Sequence, residues 1–149
     1  MRVGEACTRS VVVIEHTESA WSAAKMMREH HVGDVIIVRS ENGRRIPVGI
    51  VTDRDLALEV VAQDVDPHEV LANDLFTAGR LITASVDDDL EETLETMRAN
   101  GIRRIPVLGR DGTLAGILTV DDMLDLLSEQ LTGIVHLVGL QRTREEHRR

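Results

Sequence analysis

The residues best suited to chemistry occur twice in one pattern. Gly49-Ile50-Val51-Thr52-Asp53-Arg54-Asp55 reads as Gly, two aliphatics, Thr, two variable positions and Asp. Gly116-Ile117-Leu118-Thr119-Val120-Asp121-Asp122 repeats it. The aliphatic pair ends a strand, and the rest opens a helix. A helix N-terminus presents unpaired N–H groups and a positive dipole end, which suits phosphate. A carboxylate beside it, Asp55 or Asp122, can accept two hydrogen bonds from a ribose diol. The glycines, Gly49 and Gly116, would let a ligand approach the backbone closely. The same spacing also makes a plain helix cap, with Thr52 or Thr119 as N-cap and an acid three residues on. One copy favours the cap, and two copies in register weigh toward binding.

Other candidates carry less. His30 and His31 are adjacent at a helix end, point in different directions and lack a further ligand, so no metal site is expected. No nucleophile is spaced with a base, and no phosphate-binding Gly-rich loop occurs, so the chain is not read as an enzyme. Cys7 is the single cysteine and permits no internal disulfide. It reads as a buried structural thiol, Met26, Met27 and Met97 read as core, and Asp87 to Asp89 as acids complementing a helix dipole.

The elements that must hold the motifs are themselves duplicated. Met27-Arg28 returns as Met97-Arg98, 70 positions on; Asn42-Gly43 returns as Asp111-Gly112, 69 on; the motifs lie 67 apart. A first hairpin three residues longer absorbs the drift. Arg-Arg-Ile-Pro-Val also occurs twice, at 44–48 and 103–107, but that offset of 59 breaks every other match and is read as coincidence. Each unit starts with a strand, at 11–14 or 81–83. A helix follows, capped by Ser19 in one unit and by Asp88 with Glu91 in the other. Ala20, Ala23, Ala24 and Met27 are its buried side in the first unit, and Leu90, Leu94 and Met97 in the second. Strands at 35–38 and 48–51 flank Asn42-Gly43, and strands at 105–108 and 114–118 flank Asp111-Gly112, both turn dipeptides of tight hairpins. Second helices cover 53–62 and 121–131, with Asp66-Pro67 as the break between units. The fold class is α+β: two β-α-β-β-α repeats packed sheet to sheet with pseudo-two-fold symmetry. The organisation is a first repeat at 1–66, a second at 67–131 and an extension at 132–149.

Composition narrows the function. The 149 residues carry 26 acids against 17 bases, a net charge of −9, and the aromatics are Trp21 and Phe76 with no Tyr. A phosphate-backbone binder should be basic, and single-strand binders stack bases on aromatic rings, so nucleic acid is not the expected partner. No apolar run approaches the ~20 residues of a membrane span, and 134–140 reads as too short for one. No signal-like segment opens the chain, so the expected setting is cytoplasmic, without membrane.

The twice-repeated Gly-φ-φ-Thr-x-x-Asp set, with Gly101-Ile102-Arg103-Arg104-Ile105-Pro106-Val107, resembles a tandem pair of CBS domains, a Bateman module. The chain is similar to stand-alone bacterial members from about residue 3 to 131. The resemblance implies two clefts between repeats that can hold AMP, ADP, ATP or S-adenosylmethionine, with no cofactor required. It places Asp55 and Asp122 at ribose hydroxyls and Thr52 and Thr119 near ribose or phosphate. Adenine would lie against aliphatic walls, with Gly49, Gly116, Ile102 and Pro106 in the site. Arg103 and Arg104 resemble phosphate-binding positions. The first unit has Gly33 and Asp34 there instead, with Arg54 compensating in part, so the clefts should be unequal. The resemblance implies a regulatory sensor acting through a partner or its own homodimer; a ligand-free dimerisation scaffold is the alternative.

Overall fold

A computed structural model describes residues 1–76 and 80–146. It contains two three-stranded sheets, β1-β2-β3 and β4-β5-β6, of the same topology. In the first, β1 (Val13–Glu15) runs parallel to β2 (Asp34–Glu41), and β2 is antiparallel to β3 (Arg44–Thr52). In the second, β4 (Ala84–Ser85), β5 (Arg104–Leu108) and β6 (Leu114–Thr119) repeat the arrangement. Both hairpins carry a register shift, between Ile37 and Val38 and between Val107 and Leu108, again 70 positions apart. The shared pentapeptide lies on non-equivalent strands, β3 and β5, so it is a coincidence of sequence.

The central strands are apolar on both faces because both faces are covered. Val35 and Ile37 point toward the first unit's helices, while Ile36 and Val38 join Leu114 and Ile117 in a core between the two sheets. In β5, Ile105 and Val107 enter the second helix-side core. Pro106 between them is fully buried. The first hairpin turns through Asn42 and Gly43, with φ of 51° and 76°, which Asn and Gly adopt at little cost.

Several local expectations are corrected. The first strands start two to three residues later than read, at Val13 and Ala84. In α2 (Ala20–His30) Ser19 accepts the Ser22 N–H at 3.2 Å as expected, but Ala24 faces solvent. In α5 (Leu90–Asn100) the cap is Asp89, which accepts from the Glu91 and Glu92 N–H groups at 2.9 and 3.2 Å. Asp88 instead accepts the Ser85 N–H at 2.8 Å. The one-residue shift turns Leu94 outward and buries Thr93, whose hydroxyl donates to the Asp89 carbonyl at 2.8 Å. The helix expected at 53–62 is one α turn, α3 (Asp53–Leu56), followed by a π-helical turn over Ala57–Val61.

Two short helices, not read from the sequence, join the units by exchange. α1 (Val3–Ala6) opens the chain but packs on the second unit: Val3 is fully buried in its core, and the Val3 and Gly4 N–H groups donate to the Asp88 and Val86 carbonyls. α4 (Ala72–Leu75) follows the linker but packs in the first unit's core. A boundary between residues 66 and 67 therefore divides the sequence, not the packing.

Gly49 and Gly116 serve this exchange. A Cβ on Gly116 would stand 2.6 Å from the Thr8 carbonyl oxygen and 3.0 Å from Cys7 Sγ; one on Gly49 would stand 2.7 Å from the Phe76 ring. The glycines admit the crossing segments, so the close approach that the sequence reading gave to a ligand is made here by the chain itself. α6 (Val120–Glu146) is one helix of 27 residues, so 132–146 continue the second unit's last helix. By length and composition alone, Val120–Arg144 is long and apolar enough to cross a membrane, although its run free of Asp, Glu, Lys and Arg covers only 130–141.

Gly116→Ala should destabilise the fold by roughly 1–3 kcal/mol, the usual range for overpacking, because the Thr8 backbone cannot yield as a flexible side chain would. Urea unfolding measures it. Gly133→Ala, inside α6 where a Cβ meets nothing within 4 Å, should instead stabilise that helix by roughly 0.5–1 kcal/mol.

Candidate functional site

Each Thr/Asp motif closes a strand and caps a helix. The Asp55 N–H donates to Thr52 Oγ1 at 3.1 Å, and the Thr52 N–H donates to Asp55 Oδ2 at 2.8 Å. Asp122 and Thr119 make the same reciprocal pair at 3.1 and 2.8 Å. Both motifs are thus satisfied capping boxes. They differ in what remains. Asp122 Oδ1 accepts the Thr8 hydroxyl at 3.0 Å, whereas Asp55 Oδ1 has no hydrogen-bond partner among the described residues.

The motifs open onto two clefts related by the repeat. One, of about 610 Å³, is lined by Ile50, Thr52, Phe76, Arg80, Leu81, Ile82, Asn100, Ile102, Arg103 and Arg104. The other, of about 200 Å³, has Ile117, Thr119 and Asp122 facing Val11, Val12, Val32 and Asp34, with Thr8 and Ser10. Each cleft takes its motif from one unit and its facing wall from the other. Arg103 and Arg104 therefore face Thr52, the first unit's motif. Asp34, the repeat equivalent of Arg104, faces Thr119 and Asp122 instead. The larger cleft holds the guanidinium groups, and the smaller holds two carboxylates.

The model of the CBS domain matches twice, at residues 3–62 and 72–129. The chain belongs to the CBS domain family. It is 40% identical over 124 residues to an uncharacterized protein of Methanopyrus kandleri, covering 83% of this chain and 61% of that protein. It therefore spans less than two thirds of that relative's length. It superposes on a CBS domain protein from Pyrobaculum aerophilum complexed with AMP with TM-score 0.72 at 27% identity, covering 86% of this chain and 99% of that one. A hexameric CBS-CP12 protein from bloom-forming cyanobacteria matches with TM-score 0.70 at 27% identity, over 83% and 69% of the two chains.

Within this CBS pair the sequence-derived site residues separate into three sets. Thr52, Ile102, Arg103 and Arg104 line the larger cleft, and Thr119 and Asp122 the smaller. Asp55 stands behind Thr52, half-buried, held by the capping box. Gly49, Gly116 and Pro106 are buried away from both clefts, and Arg54 points to solvent on the exposed side of α3. The charges that act on Asp34 are those of Arg104 and Asp53, and Arg54 is not among them. Sequence reading missed Arg80, Asn100 and Phe76. Arg80 could have been found, since it precedes Leu81-Ile82 as Ser10 precedes Val11-Val12.

The arginines are not equivalent. Arg104 Nη1 lies 2.8 Å from Asp34 Oδ2, an ion pair between the two repeat-equivalent positions that joins the clefts. Arg103 has no side-chain partner among the described residues and is exposed. Burial pushes the Asp34 carboxyl up from its ordinary value; Arg104 opposes this and Asp53 adds to it. Because the net direction is upward, ionised Asp34 opposes folding despite its partner. An acid raised in the folded state binds protons there more tightly, so its contribution falls as pH rises through the carboxylate range. Asp34→Asn should raise the thermal unfolding midpoint at pH 7, and the gain should vanish below about pH 3, where both forms are neutral. A lower midpoint at pH 7 would show that the ion pair outweighs burial.

Proposed function

We propose that the chain is a regulatory module that binds an adenosine-containing ligand (AMP, ADP, ATP or S-adenosylmethionine) in the larger cleft. The reading is carried by Arg80 and Arg103 on that cleft, two exposed guanidiniums beside Thr52 and an aliphatic wall of Ile50, Leu81, Ile82 and Ile102. The wall suits a flat purine, and guanidiniums present paired donors to phosphate. Arg104, tied to Asp34, would orient the rim or exchange partners when a phosphate arrives. Asp55 Oδ1 is the open acceptor for a ribose hydroxyl. The AMP complex of the Pyrobaculum protein supports this ligand class. The smaller cleft, with Asp34 and Asp122 on its wall and the Thr8 hydroxyl on Asp122, repels phosphate.

On this reading the chain performs no catalysis, needs no cofactor or metal, and acts in the cytoplasm through a homodimer or a regulated protein partner. Its net charge of −9 argues against nucleic acid. A ligand-free scaffold is the second reading, favoured by the completeness of both capping boxes.

Calorimetric titration with the four ligands decides between them. The expected result is one site per chain. Arg103→Ala should weaken it about 10- to 100-fold, the worth of a charge-assisted hydrogen bond of roughly 1.5–3 kcal/mol. Asp122→Ala should leave affinity unchanged and cost about 1 kcal/mol of stability as a lost cap. No heat at millimolar ligand would favour the scaffold.

A further inference from the structure

The three guanidiniums of the larger cleft are not equally available. Arg80 and Arg103 are exposed and have no side-chain partner among the described residues. Arg104 is engaged, with Nη1 at 2.8 Å from Asp34 Oδ2, and both side chains of that pair are half-buried. Asp34 lies on the wall of the smaller cleft, yet it stands directly opposite Thr52 across the β2-β3 ladder. It thus belongs to one cleft by exposure and controls a cation of the other.

Two free guanidiniums match one phosphate, which carries about −1.5 to −2 at pH 7. A longer phosphate chain brings more negative charge and must draw on Arg104. Taking Arg104 leaves Asp34 without its cation. The carboxylate is then partly shielded from water, opposed by the charge of Asp53 and beside Asp122 on the smaller cleft. Stripping the partner from a shielded charge is costly because nothing replaces it. That cost falls on a ligand that needs the third guanidinium and spares one that needs two.

We propose that Asp34 is a positioning residue that sets the phosphate selectivity of the larger cleft, holding Arg104 back so that a nucleoside monophosphate is preferred to the triphosphate. This rests on the reading of that cleft as an adenosine-ligand site and adds which phosphate chain the site takes. Asp34 acts through Arg104 and does not touch the ligand. The Gly33-Asp34 departure from the Arg103-Arg104 pattern therefore has an effect on the arginine-lined cleft as well as on its own.

Calorimetric titration of the full chain with AMP and with ATP tests it, in EDTA so that no divalent cation masks the triphosphate charge. The parent is compared with Asp34→Asn, Arg104→Gln and the double variant, each checked for folding by its unfolding midpoint. The parent should bind AMP more tightly than ATP. Asp34→Asn should tighten ATP about 10-fold and AMP by less than about 3-fold, since a released guanidinium adds one charge-assisted hydrogen bond to the longer chain. Made on Arg104→Gln, the same substitution should give no such gain, because no guanidinium is there to release. An AMP-to-ATP ratio unchanged by Asp34→Asn overturns the proposal and leaves the nucleotide site standing. A parent that prefers ATP overturns it as well. A gain that persists on Arg104→Gln overturns the route through Arg104. No heat from either nucleotide, in the parent and in Asp34→Asn, removes the site and the proposal together.

Discussion

Everything in this fold depends on two sheets that each have one face with no helix to cover it. Helices pack on the other face, against Val35 and Ile37 in one unit and Ile105 and Val107 in the other. The bare faces, with Ile36, Val38, Leu114 and Ile117, can leave water only against each other. A three-stranded sheet that leaves one apolar face wet forfeits that burial, so each unit draws stability from the other. Burial of this face makes the repeat a pair, and the pair makes the clefts.

The exchange of α1 and α4 follows from the same contact. With the sheets apposed, the segment leading into each unit packs against the other unit. It must cross the last strand of that sheet at close range, where any Cβ would collide. Gly49 and Gly116 sit at those crossings. The glycine of the Gly-φ-φ-Thr-x-x-Asp pattern therefore belongs to assembly and the threonine to the cleft. One motif serves two purposes on opposite sides of one strand.

Apposition also sets the electrostatics. Equivalent positions meet near the pseudo-axis, and there the repeats differ most, with Asp34 in one and Arg104 in the other. The two side chains are only 32% and 25% exposed, so the cost of burying the charges offsets much of their attraction. Its consequence is geometric, since each residue stands on the wall of a different cleft. One cleft keeps the exposed cations Arg80 and Arg103, and the other keeps Asp122.

The sequence by itself determined the duplication, the order of elements and the hairpin turns. Those are local: period-2 and helical patterns, Asn-Gly and Asp-Gly dipeptides, and capping residues all act within a few positions. It missed the cap at Asp89 by one residue, because three consecutive acids offer the same chemistry and only packing of Met97 and Thr93 chooses among them. It read α6 as ending near 131, because nothing local says whether a helix continues once it leaves its core. Which arginine faces which threonine was decided only by tertiary structure. The pairing of Arg103 with Thr52 crosses from one repeat to the other, and no spacing along the chain encodes a contact that exists only after two sheets close on each other.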